Sequence, residues 1–196
     1  MKTIIIATKN RGKAREYRKM FQSKGIRVKT LNDFTNPPKI KETGHSFEEN
    51  AMIKAEAVVN WLNIPALADD SGLEVHSINN EPGIYSARYA GDHDDEANKH
   101  KLLRRLKGHQ NRSATFVTCL VLLKPNGKKL IVNGKLNGQI LKQPRGTDGF
   151  GYDPLFYVPS KHRTLAEMTT KQKDAISHRG IATRKMMKYF DDWWQD

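Results

Sequence analysis

The stretch "PALADDSGLEV", residues 65 to 75, sets two adjacent carboxylates, Asp69 and Asp70, between two apolar runs. Short apolar runs bounded by polar residues read as buried strands. "PALAD" is therefore expected to be one strand ending at the Asp pair, and "LEVHSI" the next. Neighbouring carboxylates repel, and taking them out of water is costly unless positive charge stands beside them. The direct answer is a cation between or beside residues 69 and 70. Hard carboxylate oxygens suit Mg²⁺, with Mn²⁺ as the alternative, and Mg²⁺ takes few protein carboxylates when substrate phosphates complete its shell. Glu42 is a third acidic candidate. Ordinary turn chemistry is the competing account: Asp-Ser-Gly suits a turn in which Asp70 caps and Asp69 is solvated.

The surrounding pattern alternates strands and helices. "TIIIA" (3–7) is β-branched and reads as a strand; the loop "TKNRG" follows, then a helix in "GKAREYRKMFQSKG" with Tyr17, Met20 and Phe21 on one face and Gly25 as its stop. "HSFEENAMIKAEAVVNWLN" is the clearest helix. Ser46 and Glu49 form a capping box, Phe47, Ala51, Ala55, Val58, Val59 and Leu62 make the apolar stripe, and Asn50 and Lys54 share a different face. "NNEPGIYSARYAG" is turn-rich, and "DDEANKHKLLRRLKG" is a helix stopped by Gly108. "ATFVTCLVLLK", "PNGK" and "KLIVNG" predict a hairpin, with "KLNGQIL" a further strand. "QPRGTDGFGYDPLFYVP" predicts a long ordered loop entering a strand, "TLAEM" a second capping-box start, and a final helix runs from about Ser177 through Trp194.

The length of 196 residues, without repeat or linker, predicts one domain over 1–196. No apolar run approaches the roughly 20 residues of a membrane span. The apolar run in "MKTIIIATKN" is also too short for a signal-peptide core. Cys119 is the single cysteine, so no intramolecular disulfide is available, and a reducing, cytoplasmic location is expected. Lys and Arg number 34 against 21 Asp and Glu, a net charge of +13. Such charge can bind nucleic acid, draw a small polyanion to the protein, or simply be a solvated surface.

Three further groups carry chemistry. "TKNRGK" (8–13) puts backbone N–H groups and the Lys13 ammonium at a helix start, which suits an anion; a plain strand-to-helix turn would read the same way. It is not a Walker A loop, since Ala14 stands where Ser or Thr belongs. "GTDGFGYD" (146–153) offers glycines for close backbone approach and the aromatics Phe150 and Tyr152 for stacking on a base, or for filling the core. Lys173 and "SHRG" (177–180) place His178 and Arg179 in a first helical turn, where they can read the edge of a heterocycle or merely form a basic helix start.

"ATKNRGKAREY", "ETGHSFEENAMIKA", "ALADDSGLEV", "PGIYSARYAG", "GTDGFGYDPLF" and "SHRG" together resemble, in order and spacing, the inosine triphosphate pyrophosphatases, also known as noncanonical purine nucleoside triphosphate pyrophosphatases or XTP/dITP diphosphatases. The resemblance covers residues 4 to 190. It implies an elongated α/β fold, a mixed central sheet flanked by helices, with two lobes around a central substrate cleft, and a homodimer. It implies Mg²⁺-dependent hydrolysis of ITP, dITP and XTP at the α–β phosphoanhydride to monophosphate and pyrophosphate, cleansing the nucleotide pool. By position, Thr8, Lys9, Asn10, Arg11, Gly12, Lys13 and Lys54 would hold the phosphates, and Ser71 would contact the substrate. Glu42 and Asp70 would hold the metal, with Asp69 a further candidate, and Asp70 would accept the proton. Phe150, Gly151, Tyr152, Asp153, Lys173, His178 and Arg179 would recognise base and ribose. Two rivals stand against this. The Maf-type nucleotide pyrophosphatases carry a Ser-Pro-Arg-Arg run where this chain has "TKNRGK". A basic nucleic-acid-binding protein without catalysis would explain the charge but not three carboxylates beside a phosphate turn. No membrane partner and no specific nucleic acid are expected.

Overall fold

The computed structural model describes residues 2–91 and 94–195. Its strands are β1 (Thr3–Ile6), β2 (Arg27–Thr30), β3 (Ala66–Val75), β4 (Glu81–Gly83), β5 (Ser113–Leu123), β6 (Lys129–Ile140), β7 (Phe156–Val158) and β8 (Arg163–Thr164). Its helices are α1 (Arg11–Gln22), α2 (Phe47–Leu62), α3 (Asp95–Arg105), α4 (Thr170–Ile176) and α5 (His178–Trp194). The strands make one mixed sheet in the order β2-β1-β3-β5-β6-β7-β8, with β4 paired to β3. β1 is parallel to β2 and β3, whereas β3–β4, β6–β7 and β7–β8 are antiparallel. This is the expected α/β class with a mixed sheet flanked by helices. Among the described residues no helix is long and apolar enough to cross a membrane.

The chain divides into two compact units. One runs through Asp70 and takes in Cys119–Val132 and the stretch from Met186; the other comprises Ser71–Thr118 and Asn133–Lys185. The core of the first unit begins with Ile4, Ile5 and Ile6 of β1. Helix α1 lays Ala14, Tyr17 and Phe21 against it, and Phe21 meets Phe190 of α5 with ring centroids 5.0 Å apart. Burying a side chain such as Phe21 contributes about 2 kcal/mol. In the second unit Leu73, Val75, Leu102, Phe116, Leu155, Phe156 and Leu165 form one apolar cluster.

Several elements differ from their expected form. β3 is one strand through Asp69, Asp70, Ser71 and Gly72, so the Asp pair lies inside a strand rather than at its end. "KLNGQIL" continues β6 instead of starting a new strand. The Ser46 hydroxyl caps α2 by accepting the Glu49 N–H at 3.1 Å, but the Glu49 carboxylate accepts the His45 N–H at 2.7 Å. The return bond thus reaches one residue further upstream than a capping box requires. "TLAEM" does begin with a complete box, Thr164 with Glu167, but it covers a single 3₁₀ turn, Leu165–Glu167.

Cys119 lies in the first unit on β5, fully buried. Burial pushes its thiol up to about 12, and the charges of Glu48 and Asp70 push the same way. The thiolate is the reactive species. The folded protein is therefore expected to resist a thiol reagent such as DTNB from pH 7 to 9, reacting only at the rate of unfolding. Prompt stoichiometric labelling at pH 8 would contradict this placement.

Candidate active site

Successive residues of a strand face opposite sides of the sheet, so β3 points its two carboxylates apart. Each meets a lysine from a different helix. Asp69, 4% exposed, is paired with the Lys13 ammonium of α1. Asp70, 8% exposed, accepts from Lys54 of α2 at 3.2 Å through Oδ1 and from Asn50 Nδ2 at 3.3 Å through Oδ2. The turn account of the pair does not hold, because Asp70 caps nothing and Asp69 is not solvated. The repulsion is relieved by two ammonium groups.

Lys54 also donates to Glu42 Oε1 at 2.7 Å, so Glu42 and Asp70 converge on one cation. Burial works against the Lys54 ammonium, but Asp70, Asp69 and Glu42 outweigh it and hold its pKa above the ordinary value. Burial pushes the Asp70 carboxyl up; Lys54 opposes the rise and Glu42 adds to it. A buried carboxylate with a raised pKa is a better proton acceptor than a solvated one. Among the described residues no three His, Cys, Asp or Glu side chains gather as a metal cage. Two convergent carboxylates are what Mg²⁺ uses when phosphates and water fill its remaining positions, so Glu42 and Asp70 fit that ion. Asp69 is paired with Lys13, and its charge also acts on Lys54.

The turn before α1 is organised by its own side chains. Thr8 Oγ1 accepts the Asn10 N–H at 3.1 Å, and Asn10 Oδ1 caps the helix by accepting the Lys13 N–H at 3.1 Å. That leaves the Asn10 amide nitrogen as a donor. The Lys9 carbonyl is held by Asn32 Nδ2 at 2.8 Å. Arg11 lines a cavity of about 400 Å³ with Arg15, Arg18, Thr30, Asn32 and Asp33. Gly12 is the second residue of α1, beside the Asn10 cap.

The second unit holds the remaining candidates. Ser71 Oγ lies 2.8 Å from Thr118 Oγ1. In the glycine-rich loop Phe150 is 61% exposed, with the Lys173 ammonium 4.6 Å and the Arg179 guanidinium 5.9 Å from its ring centroid. This is an aromatic face flanked by cations. Asp153 is buried; its carboxylate accepts the Phe150 N–H at 2.9 Å and pairs with Lys173. Tyr152 departs from the stacking expectation. Its ring lies in the apolar cluster and its hydroxyl donates to the Ser86 carbonyl at 2.9 Å, so it holds the loop and offers no face. The Gly151 N–H donates to Asp95 Oδ2 at 2.7 Å, a second tether, from the start of α3.

His178 and Arg179 open α5 as expected, with Ser177 Oγ accepting the Gly180 N–H at 3.0 Å. The His178 ring stacks on Phe116, 4.7 Å between centroids and 11° from parallel. Arg179 Nε is buried and has no hydrogen-bond partner among the described residues, so this guanidinium keeps donor capacity. Gly134 of β6 lies against this end of α5. A Cβ there would collide with the His178 carbonyl oxygen and stand 2.5 Å from the Ala182 nitrogen.

The model of the Ham1 family matches residues 4–189. The chain belongs to the Ham1 family. A Lactiplantibacillus plantarum protein named dITP/XTP pyrophosphatase is 56% identical to this Ham1-family chain over 194 residues, 98% of the chain and 96% of the relative. A Bacillus anthracis protein of the same name is 45% identical, over 99% and 98%. The solved Ham1 protein of Staphylococcus aureus superposes with a TM-score of 0.92 at 41% identity, covering 97% of this chain and 99% of the other. Two residues that sequence reading left without a role emerge within this Ham1-family fold: Asn50, noted only for its helix face, and Asp95, whose signal was no more than an acidic first turn.

Proposed function

We propose that this Ham1-family chain is a Mg²⁺-dependent nucleoside triphosphate pyrophosphatase acting on ITP, dITP and XTP, removing these purines from the nucleotide pool. The observation that carries the reading is Asp70, buried in mid-strand with its carboxylate fixed by Lys54 and Asn50 and with Glu42 on the same ammonium. The relatives named dITP/XTP pyrophosphatase support the substrate class.

The chemistry is attack of water on the α-phosphorus. The new bond is P–O to the water oxygen, and the bond between the α-phosphorus and the α–β bridging oxygen breaks, with pyrophosphate leaving. Asp70 orients the water and takes its proton, and a raised pKa suits that task. Lys13, Lys54 and the N–H groups at the start of α1 supply positive charge to the triphosphate. Glu42 and Asp70 are the residues that would hold Mg²⁺, which lends further positive charge to the phosphates when bound.

Base selectivity rests on the second unit's side chains. Phe150 offers its exposed ring to a purine. Arg179 and His178 donate to a 6-oxo group, which hypoxanthine and xanthine have and adenine lacks; guanine has it too, so rejection of GTP rests on its 2-amino group. An amino group in place of the 6-oxo group would leave buried donors without acceptors, which a polar site punishes strongly. Both units together make one functional domain over residues 1–196, acting as a homodimer in the cytoplasm.

The deciding experiment is pyrophosphate release from ITP, XTP, GTP and ATP, with Mg²⁺ and with EDTA. Fast, metal-dependent release from ITP and XTP alone is expected. Release from all four would remove the selectivity role of His178 and Arg179, and no release from any would overturn the reading.

A further inference from the structure

Glu42 lies in a stretch with neither helix nor strand, residues 34 to 46, yet it converges with Asp70 of β3 on one ammonium. Something must hold that stretch in place. Two side chains from the start of α2 do so: Glu49 accepts the His45 N–H at 2.7 Å, and Asn50 Oδ1 accepts the Gly44 N–H at 2.9 Å. The contact is close. A Cβ at Gly44 would lie 2.6 Å from Glu49 Cβ and 2.9 Å from Asn50 Oδ1. The other end of the same amide, Asn50 Nδ2, donates to Asp70 Oδ2. Asn50 is fully buried, and its two ends are not interchangeable. Reversing the amide would set N–H against N–H and oxygen against carboxylate.

We infer that Asn50 is a positioning residue: a single amide that ties the Glu42-bearing stretch to Asp70 and fixes the spacing at which the two carboxylates accept one divalent cation. The inference rests on the metal role proposed above for Glu42 and Asp70. Asn50 touches neither water nor phosphate in this account. It acts through the two carboxylates, as groups that orient metal ligands generally do, and losing such a group typically costs 10–100-fold in metal affinity or activity.

The test uses the full chain and Mn²⁺ as the probe, its binding read from the loss of the free-ion EPR signal, alongside kcat and KM for ITP and a thermal melt. Asn50→Ala is expected to weaken Mn²⁺ binding about 10–100-fold and to lower kcat by a similar factor, with KM for ITP changed by no more than about threefold. Gly44→Ala, which pushes on the tether from its other end, is expected to move both in the same direction. Wild-type Mn²⁺ affinity and kcat in a folded Asn50→Ala would overturn the inference. Should that variant not fold, wild-type values in Gly44→Ala would overturn it. A wild-type chain that binds Mn²⁺ but hydrolyses no nucleotide sinks the proposed reaction instead, and Mn²⁺ affinity of the variants then decides the tether by itself.

Discussion

Asp70→Asn is expected to lower pyrophosphate release from ITP at least about a hundredfold, the usual scale for removing a general base, while the protein stays folded. The substitution preserves size and leaves a carbonyl oxygen that Lys54 or Asn50 can still reach. Lys54 keeps its bond to Glu42, so no ammonium is stranded in the interior. What is lost is the site that takes the proton and one of two carboxylates facing the shared cation. Circular dichroism and a thermal melt close to wild type, with turnover gone, are the expected pair of results. Near-normal turnover in the folded variant would remove Asp70 from the reaction.

Lys54→Met should strike stability as well as activity. The lysine side chain is 13% exposed and neutralises Asp70 and Glu42 together. Removing one partner of a buried ion pair leaves the other charge uncompensated, here at a cost of about 3 kcal/mol because Glu42 stays partly open to solvent. For a chain of this size that corresponds to a fall in melting temperature of roughly 6–12 °C. The pH dependence has a defined sign. The Asp70 carboxyl already titrates above its ordinary value through burial, and without Lys54 it must rise further. A raised carboxyl pKa favours the folded state at low pH and loses that advantage as pH rises through the folded value. The deficit of the variant should therefore be largest near pH 8 and shrink toward pH 5. Mg²⁺ should restore part of the loss at pH 8 by taking the place of the ammonium. A melting temperature equal to wild type across this range would contradict the charge-neutralising role of Lys54.

The helices and most strands were legible because local signals set them: β-branched runs, the apolar stripe of α2, the Ser46 cap. The failures share one cause, information carried by residues far away in the sequence. "DDSG" carries turn chemistry, and the lysines that let it run on as a strand sit 56 and 16 residues distant. "KLIVNG" and "KLNGQIL" read as two strands but form one, β6. Gly134 admits the start of α5, and Gly138 lies where a Cβ would meet the Phe156 ring at 2.6 Å. α4 escaped notice because "TKQKDAI" has no apolar period. The candidate site was legible as a set of residue types, and Phe150, Lys173, Arg179, Glu42, Lys54 and Asp70 do fall into two coherent groups. Which aromatic of the glycine-rich loop is exposed was not legible. Phe150 and Tyr152 differ only in what packs around them, and no local pattern records that.

The divergent aspartates of β3 also bear on how the first unit assembles. Each is silenced by a lysine on a separate helix, Asp69 by α1 and Asp70 by α2. With one helix docked and the other loose, one of the two carboxylates would lack its nearest ammonium. Partial structures of that kind are penalised on the way to the native state. The neighbouring charges that look like a burden on the strand thus couple it to both helices, because the docking of α1 and the docking of α2 each bring an ammonium to β3.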